Sequence, residues 1–576
     1  MSIEMPEKLL RKRIGEIPLL QSVTQRLGLR ELLMRYIAPH GNEKIPAPDT
    51  LLLLVFNIAS GRQPLYELGQ WTTRLDGRLF GWQSQLPAAL FNDDRYARAL
   101  DKLYNVDRAS LMTDVVLQVI EATHLDLQEI HNDSTTVKST GKMPGKSRTG
   151  LFFARGHSKD HRPDLKQIVF NLTISADGAV PIHYKSYPGN RTDDTTHIDT
   201  WRVIRDIAGQ SNFLYVADCK VCTDKQLSFI VRHGGRVVTL LPGTWKEVKT
   251  FKASLRAHHK AKQRIWRQPI PNAEHTYESF YRFRGRYRTT KAGYALHWIY
   301  STEKKKRDRL QREQLLQHVE QKLAELMGKL NTRKLKTEAQ ITERVDKLLQ
   351  SYQVSDFYHI AIKPIQESGI RQVGKGRPGK HTRSHTTVRT IYSLSWTRNQ
   401  QALARERNID GIFPILCTDE TMSAKQALVA YKYQPRLEKR FAQLKSVHQA
   451  APTLFKKVER VEAMMFLFFM ALILQAVIER EVRRTMSDNA IDAIPIYPEH
   501  RLAYHPTTAK IFDRFHDTSL YRLIQEQAVV KEYRDELTPL QQSILALLGM
   551  TEDHYWSRLT ESASGVPPLH EGRLNR

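Results

Sequence analysis

The spacing of hydrophobic and polar residues changes near residue 126. Before that point apolar residues recur at helical spacing, most clearly over residues 17–27 and 51–60. We therefore predict an all-α N-terminal domain over residues 1–125. It fits a helix-turn-helix DNA reader and a plain helical scaffold equally well. Its first residues are basic: Lys8, Arg11, Lys12 and Arg13.

Beyond residue 126 the pattern is that of strands and helices in alternation. Asp177-Gly178 is a strong hairpin-turn signal between two apolar segments. The order is three strands, a helix, a strand, a helix and a strand, which we place at residues 129–138, 167–175, 180–187, 195–208, 213–218, 224–233 and 236–241. This order predicts an α/β sheet domain over residues 126–243.

A long segment, residues 244–410, then interrupts the sheet pattern. It begins with basic and aromatic strands and continues into a charged helical hairpin. The hairpin's apolar residues follow a 3-4-3-4 spacing: Leu316, Val319, Leu323, Leu326 and Leu330. Because two heptads are too few for a strong dimer prediction, we expect a hairpin within one chain. Strands at 358–362 and 390–396 flank a basic, glycine-containing stretch, residues 369–389, which we predict to be a flexible loop.

The sheet pattern resumes at residues 412–418. An apolar run from Ala463 to Ile478 follows, which is shorter than the roughly 20 residues that cross a bilayer. We therefore predict a buried helix over residues 461–480. Residues 411–480 are assigned to the second part of the sheet domain, and residues 481–576 to a C-terminal helical region.

Charge adds the strongest constraint from composition. The 576 residues carry a formal net charge of +27, with a sequence pI of about 9.8. Since so large a surplus repels itself unless it meets a polyanion, we expect nucleic acid as the partner and no membrane. Three cysteines exclude a disulfide framework, and the first residues show no secretory signal. These features predict a cytoplasmic protein.

The segment most informative about chemistry is residues 431–445. As a single helix it would place four polar side chains within about 60° of one another: Tyr431, Gln434, Glu438 and Lys445. Pro435 predicts a kink or a restart. This face suits a metal-binding carboxylate beside groups that grip a phosphate. For the segment alone, a solvated amphipathic helix is an equally good interpretation.

Two aspartates elsewhere join Glu438 in a set of three acids. Asp133 lies within the first predicted strand of the sheet, and Asp218 ends the fourth. An acid at a strand end points to solvent or to a site, because burying an unpaired carboxylate is costly. Asp218 alone could equally cap a helix. Three carboxylates are ligands for Mg²⁺ or Mn²⁺, and two such ions can activate water or a 3′-hydroxyl for displacement at phosphorus.

These residues resemble a known family, the DDE transposases of bacterial insertion sequences. The chain is most similar to the cut-and-paste group with a Tyr-x₂-Arg-x₃-Glu-x₆-Lys helix and an insertion before that helix. The matching residues are Asp133 in His-Asn-Asp-Ser-Thr, Asp218 in Val-Ala-Asp, and Tyr431, Glu438 and Lys445 at the family spacing. One position departs: the family arginine falls on Gln434, which hydrogen-bonds phosphate without bringing a charge.

The resemblance implies an RNase H-like mixed sheet that is interrupted by the β/helical insertion and preceded by the all-α domain. It implies that Asp133, Asp218 and Glu438 are catalytic residues that hold two Mg²⁺ or Mn²⁺ ions. It also implies that Tyr431 and Lys445 hold the backbone of the transposon end.

Four further residues are candidate DNA contacts. Gln434 and Arg436 lie on the same predicted helix as Glu438. Lys375 and Arg377 stand in Lys-Gly-Arg-Pro, which resembles the core of a minor-groove AT-hook. We predict that all four side chains contact DNA.

The resemblance therefore implies an insertion-sequence transposase that binds terminal inverted repeats, cleaves DNA and transfers the strand to target DNA. Both transposon ends must be handled together, so we expect a homodimer on DNA, in a bacterial cytoplasm and associated with the nucleoid. Two alternatives remain open. An RNase H-like nuclease would hydrolyse DNA without strand transfer, and a domesticated, catalytically silent protein would only bind it.

Overall fold

The computed structural model describes residues 8–41, 43–61, 63–82, 85–139, 145–156, 164–192, 195–258, 260–270, 276–332, 334–373, 383–447, 457–526 and 528–560. The chain divides into two compact units. The first comprises Met1–Thr239 and Val429–Arg576, and the second Leu240–Leu428. Both units mix helices and strands, so the chain is of the predicted α/β class. The finer division into five domains stays a prediction.

The first unit begins with a strand and six helices. They are β1 (Lys8–Arg13), α1 (Ile17–Arg26), α2 (Leu29–Tyr36), α3 (Ala47–Ala59), α4 (Leu68–Arg74), α5 (Asp93–Asn105) and α6 (Arg108–Thr123). The Asn92 side chain caps α5 by accepting a hydrogen bond from the backbone N–H of Arg95 (3.0 Å). The prediction of an all-α N-terminal domain is right for the helices and wrong for residues 8–13.

The sheet elements of the first unit follow in the predicted order. They are β2 (Glu129–Ser139), β3 (Lys166–Ser175), β4 (Pro181–Pro188), α7 (His197–Ala208), β5 (Leu214–Ala217), α8 (Asp224–Arg232) and β6 (Arg236–Leu240). The strands lie in the order β4-β3-β2-β5-β6. β2, β3 and β4 pair antiparallel, whereas β5 runs parallel to β2, and β6 parallel to β5. This mixed sheet holds the two predicted aspartates.

The second unit contains α9 (Lys246–Ala257), β7 (Lys262–Pro269), β8 (Tyr277–Phe283), β9 (Tyr287–Arg288), β10 (Ala295–Ser301), α10 (Thr302–Met327), α11 (Glu338–Ser351), β11 (Tyr358–Gln372), β12 (Ser384–Arg398), α12 (Gln400–Arg407) and β13 (Ile412–Cys417). Within this unit β13, β10, β8 and β7 form consecutive neighbours, and β9 pairs with β10. Helix α13 (Ala424–Lys432) crosses the division at residue 429.

The helical hairpin in the second unit is confirmed. Leu316, Val319 and Leu323 of α10 are buried in one cluster with Ile341 and Val345 of α11. The basic stretch at residues 369–389 differs from its predicted loop. β11 and β12 pair without a break from Tyr358↔Arg398 to Gln372↔Ser384, so much of the stretch is strand. The pairing of the two strands decides this structure, and a local composition rich in glycine and basic residues does not reveal that pairing.

The first unit is completed by α14 (Gln434–Ala442), α15 (Val458–Asp488), α16 (Thr508–Phe515), β14 (Ser519–Gln525), β15 (Ala528–Arg534), α17 (Pro539–Leu547) and α18 (Glu552–Thr560). β1 pairs antiparallel with β14, and β14 with β15. The sequence predicted a helical C-terminal region, and this prediction is wrong for β14 and β15. The pairing joins residues about 510 positions apart, which no local pattern reveals.

Helix α15 is the centre of the first unit's core. It is long and apolar enough to cross a membrane by length and composition, but 94% of its most apolar window is buried within the protein. A soluble core helix passes the same test, so this is weak evidence for a membrane span. The predicted buried helix is confirmed.

Candidate functional site

The register of two parallel strands places the two predicted aspartates side by side. Asn132 of β2 is paired with Ala217 of β5. Asp133 and Asp218 are the next residues of these two chains, so they continue the same register. Adjacent strands lie about 4.8 Å apart and in-register side chains share a face. The sheet therefore brings together two acids that are 85 positions apart in the sequence.

Backbone hydrogen bonds fix the direction of both carboxylates. Asp133 Oδ1 accepts from the N–H of Ser134 (2.7 Å), and Asp218 Oδ1 accepts from the N–H of Lys220 (2.9 Å). The second bond starts a short 3₁₀ turn, Cys219–Val221. Asp218 therefore does cap a turn, as one interpretation of its sequence allowed. Both aspartates are half-buried, so each keeps a route to solvent.

The third acid lies on a helix that restarts where proline predicted. α13 ends at Lys432, and α14 begins at Gln434 with Pro435 in its first turn. A π-helical turn, Gln443–Val447, follows. The single straight helix predicted over residues 431–445 is therefore wrong. Tyr431 lies in α13 and the half-buried Lys445 in the π turn, while Glu438 is exposed in the middle of α14.

The side chain of Gln434 points into the protein and forms its hydrogen bonds there. Its side chain is buried, and its Nε2 donates to the carbonyl of Asn132 (3.1 Å). His131 Nδ1 donates to Gln434 Oε1 (3.0 Å), while the Oε1 atom of Glu129 lies 2.9 Å from the other ring nitrogen. Because both ends of this amide are bonded within the protein, the prediction that Gln434 contacts DNA is corrected. These bonds tie α14 to β2 at the residues just before Asp133.

The charges of all three acids act on a single hydroxyl, that of Tyr431. Tyr431 is half-buried, and burial raises the pKa of its phenol well above the ordinary value. The negative charges of Asp218, Glu438 and Asp133 raise this pKa further. All three predicted metal ligands therefore act electrostatically on one group. The phenol stays protonated at any physiological pH and can donate a hydrogen bond.

The opposite side of α14 is held by a buried ion pair. Arg440 Nε donates to the carbonyl of Ala179 (3.0 Å), and its Nη2 to that of Gly178 (3.2 Å) in the turn between β3 and β4. Arg440 also pairs with Glu479 of α15 at 3.0 Å, where both side chains are buried. Two sets of buried bonds therefore fix the helix that carries Glu438.

The sequence did not single out these anchoring residues. His131 could have been identified from the sequence, because it lies on the same strand face as Asp133 through the two-residue repeat of β2. It also stands in the His-Asn-Asp-Ser-Thr motif quoted above. Arg440 and Glu479 gave no such signal. A charged residue within an amphipathic or apolar helix looks the same whether it is solvated or buried against a partner distant in sequence.

Arg436 belongs to a separate cationic cluster. It is half-buried and lies about 200° around α14 from Gln434. Burial lowers the pKa of Lys439, and the nearby charges of Arg436 and Arg483 lower it further. The pKa of His505 is lowered by burial and by the same cations. Arg436 thus faces other positive charges, on the side away from the acids. Its DNA contact stays a prediction.

The predicted DNA contacts of Lys375 and Arg377 lie outside the described residues. They remain predictions from the sequence. A tryptophan within the insertion is a core residue: Trp298 is buried and stacks on Phe251 with ring centroids 3.8 Å apart. This stacking explains its place in the hydrophobic pattern.

The donor set suits a hard divalent cation in chemistry, although its acids are not gathered into one shell. Asp133, Asp218 and Glu438 offer carboxylate oxygens of the kind Mg²⁺ prefers, and each is at least partly accessible. Within the described part of the chain, no three His, Cys, Asp or Glu side chains are close enough to hold one metal ion. Like-charged carboxylates repel, so a cation is what would draw these three together.

One segment of the chain matches a family model. Residues 10–117 match a domain of unknown function, DUF4277. The sequence matches no curated protein. Among solved structures, the chain is similar to the cryo-EM structure of the piggyBac transposase synaptic complex with hairpin DNA, with a TM-score of 0.36, 7% identity, and coverage of 97% of this chain and 86% of that chain. So loose an overlap defines neither a shared fold nor shared chemistry.

Proposed function

We propose that this protein is a transposase-like enzyme. It binds the terminal inverted repeats of a mobile element, cleaves DNA by metal-dependent phosphoryl transfer and joins the freed 3′-hydroxyl to target DNA. The observation that carries this proposal is the register of β2 and β5, whose last pair, Asn132↔Ala217, directly precedes Asp133 and Asp218. Gln434 adds to it by tying α14, with Glu438, to the same strand. The strand order supports an RNase H-like sheet, with three antiparallel strands followed by two parallel ones.

Each side chain of the site has a proposed role. Asp133, Asp218 and Glu438 would hold one or two Mg²⁺ or Mn²⁺ ions, which supply charge neutralisation at the scissile phosphate and a more acidic attacking water. Tyr431 donates a hydrogen bond to a phosphate oxygen, because its half-buried phenol stays protonated among the acids. Lys445 brings a point charge to the same backbone.

The partner and setting follow from charge. A net charge of +27 requires a polyanion, and DNA is the one on which this donor set can act. We propose that the protein works as a homodimer on DNA, one copy for each transposon end, in a bacterial cytoplasm.

The test is a cleavage and strand-transfer assay with labelled donor DNA that carries the inverted repeats flanking the gene. Asp218→Asn should abolish cleavage and joining, while the affinity for donor DNA stays close to that of the wild type. Loss of several kcal/mol of transition-state stabilisation corresponds to a rate at least about a hundredfold lower. The matched control is Asp199→Asn on α7, an exposed aspartate that should leave both activities unchanged.

The outcomes separate the alternatives. Cleaved but unjoined DNA would support a nuclease without strand transfer. Binding without cleavage by the wild type would support a silent DNA-binding protein. Full activity in Asp218→Asn would overturn the catalytic assignment.

A further inference from the structure

The two-stranded ribbon formed by β11 and β12 is anchored to the helical hairpin at its base. Tyr358 is buried, and its hydroxyl donates to the carbonyl of Leu316 on α10 (3.0 Å). Asn331, in the turn of the helical hairpin, exchanges two hydrogen bonds with the backbone of Tyr392 (2.7 and 3.0 Å). Arg398 binds the carboxylates of Glu313 and Glu320. The base is therefore fixed to the core of the helical hairpin.

The outer part of the ribbon, residues 363–373 and 383–391, is exposed on both faces. We call this part the distal ribbon. Its pairing is continuous, and the backbone N–H of Val373 donates to the carbonyl of Arg383 (2.8 Å) beyond the last strand pair. Ile370 is 82% exposed and Val388 64% exposed, on the same face. At about 3.3 Å per residue the distal ribbon is roughly 30 Å long.

Charge is confined to one face of the distal ribbon. Side chains alternate along each strand, and the register groups them across the pair. One face, the basic face, carries every basic residue of the distal ribbon: Lys363, Arg371, Arg383, His385 and Arg389. The other face is uncharged: Gln366, Ser368, Ile370, Gln372, Ser384, Thr386, Val388 and Thr390. Because all the basic residues lie on one face, that face suits a contact with a flat surface of opposite charge.

The basic face keeps most of its charge. Glu367 is the only acid in the sequence of the distal ribbon, and it pairs with Arg389 at 2.5 Å. Lys363, Arg371 and Arg383 are all exposed. A two-stranded ribbon is marginal in water, and like charges along it add repulsion. A polyanionic surface removes that repulsion, whereas a second copy of the same ribbon would double it.

We propose that the basic face of the distal ribbon binds the phosphate backbone of duplex DNA. This proposal rests on the proposed function and adds a DNA contact remote in sequence from the acids. A two-stranded ribbon fits the width of the major groove of B-form DNA. The deep, narrow major groove of A-form RNA does not admit it, so duplex RNA of the same sequence should bind more weakly.

The experiment measures the affinity of the full chain for a fluorescently labelled DNA duplex of mixed sequence, across a series of salt concentrations. The ribbon variant combines Lys363→Gln, Arg371→Gln and Arg383→Gln. Its affinity should fall at least about tenfold at moderate salt, and the slope of log K against log salt should become shallower by roughly one for each lost phosphate contact. Its melting temperature should match that of the wild type, because the three side chains are exposed.

The matched control removes three exposed cations from the helical hairpin of the same unit: Lys334→Gln, Lys336→Gln and Arg344→Gln. It should keep most of the affinity and the slope. The charge-conserving pair Arg371→Lys and Arg383→Lys should also bind as the wild type does, since phosphate accepts either cation. If the ribbon variant unfolds, the single variants Arg371→Gln and Arg383→Gln carry the same test with a smaller slope change.

Three results would overturn the proposal. The ribbon variant could bind as the wild type does, or fall no further than the control. It could lose self-association instead of DNA affinity, which would make the ribbon a protein interface. Duplex RNA could bind as tightly as DNA. In each case donor cleavage would still test the proposed function by itself. A wild type that binds no duplex DNA would overturn both proposals.

Discussion

The chain contains two pieces of β structure with opposite surroundings. β2 has no exposed residue along its eleven positions, because both faces of its sheet are covered. In β11, by contrast, residues 363–371 are all exposed. Under the proposed function, the position of a side chain matters in the first region, because Asp133 must lie beside Asp218 to share a metal ion. In the second region the proposed DNA contact depends on net charge, and the position of each side chain is loosely constrained. Substitutions should therefore act through stability and geometry in the sheet, and through electrostatics in the ribbon.

The largest expected contrast compares one apolar residue from each region. Phe170 of β3 is fully buried and stacks on Tyr184 with centroids 5.4 Å apart. Phe170→Ala should lower the free energy of unfolding by about 4 kcal/mol, through lost burial and a residual cavity. Ile370→Ala in the distal ribbon should change it by less than about 0.5 kcal/mol. Denaturant titration measures the free energy of unfolding of both variants. Equal losses of stability would contradict the contrast between the two regions.

A buried charge near the site should give the next largest effect. Burial alone raises the pKa of Glu479, but the charges of Arg440 and Arg483 and the bonds from Thr508 together hold it below its ordinary value. Glu479 therefore stabilises the fold above the ordinary glutamate pKa, and this contribution is lost as pH falls through the lowered pKa. Glu479→Gln should cost about 3 kcal/mol at neutral pH because it leaves Arg440 unpaired.

The difference between Glu479→Gln and the wild type should shrink in acid. Denaturant unfolding at a series of pH values measures it. Asp488→Asn, an exposed acid at the end of the same helix, is the control and should change stability by less than about 0.5 kcal/mol at every pH. A penalty for Glu479→Gln that does not vary with pH would show that the carboxylate is not the source.

Gln434→Leu should have a medium effect that separates geometry from stability. It leaves the carbonyl of Asn132 and the ring of His131 without their partner, which costs about 2 kcal/mol. Because α14 then loses its tie to β2, the affinity for Mn²⁺ should fall as well. Gln317→Leu, on the exposed face of α10, should change neither quantity. Lost stability with unchanged Mn²⁺ affinity would mean that Gln434 is only structural.

The smallest expected effect belongs to Tyr431→Phe. It removes one hydroxyl but leaves the three acids and the fold in place. Loss of one hydrogen bond to a phosphate corresponds to a change of up to about tenfold in affinity for the cleaved DNA end. Fluorescence anisotropy with a labelled transposon end measures this change. Unaltered affinity would remove Tyr431 from the DNA contacts.

Local sequence pattern was sufficient for the sheet elements. All seven elements from Glu129 to Leu240 begin and end within two residues of their predicted bounds, because strand alternation and helical spacing are local signals. Pro435 likewise marked the restart of α14 correctly. The pairing of β1 with β14 and the length of the ribbon were not predictable, since they depend on contacts between distant segments.

The candidate site was likewise predictable from the sequence only in part. Asp218 could be named from the sequence because it ends a predicted strand, Asp133 lies within another, and the resemblance joined both to Glu438. The sequence could not show that the side chain of Gln434 points into the protein. Helical spacing gave the face of the helix, but not which neighbour would cover it. The π turn likewise shifted Lys445 away from the face that an ideal helix would give it.

The proposal to test first is that a divalent cation draws Asp133, Asp218 and Glu438 into one site. Electron paramagnetic resonance of Mn²⁺ titrated into the protein tests it without relying on activity. The wild type should bind Mn²⁺ saturably, and Asp133→Asn, Asp218→Asn and Glu438→Gln should each weaken binding by more than about tenfold, while Asp199→Asn should not. Mn²⁺ binding that is the same in all three variants as in the wild type would contradict the account.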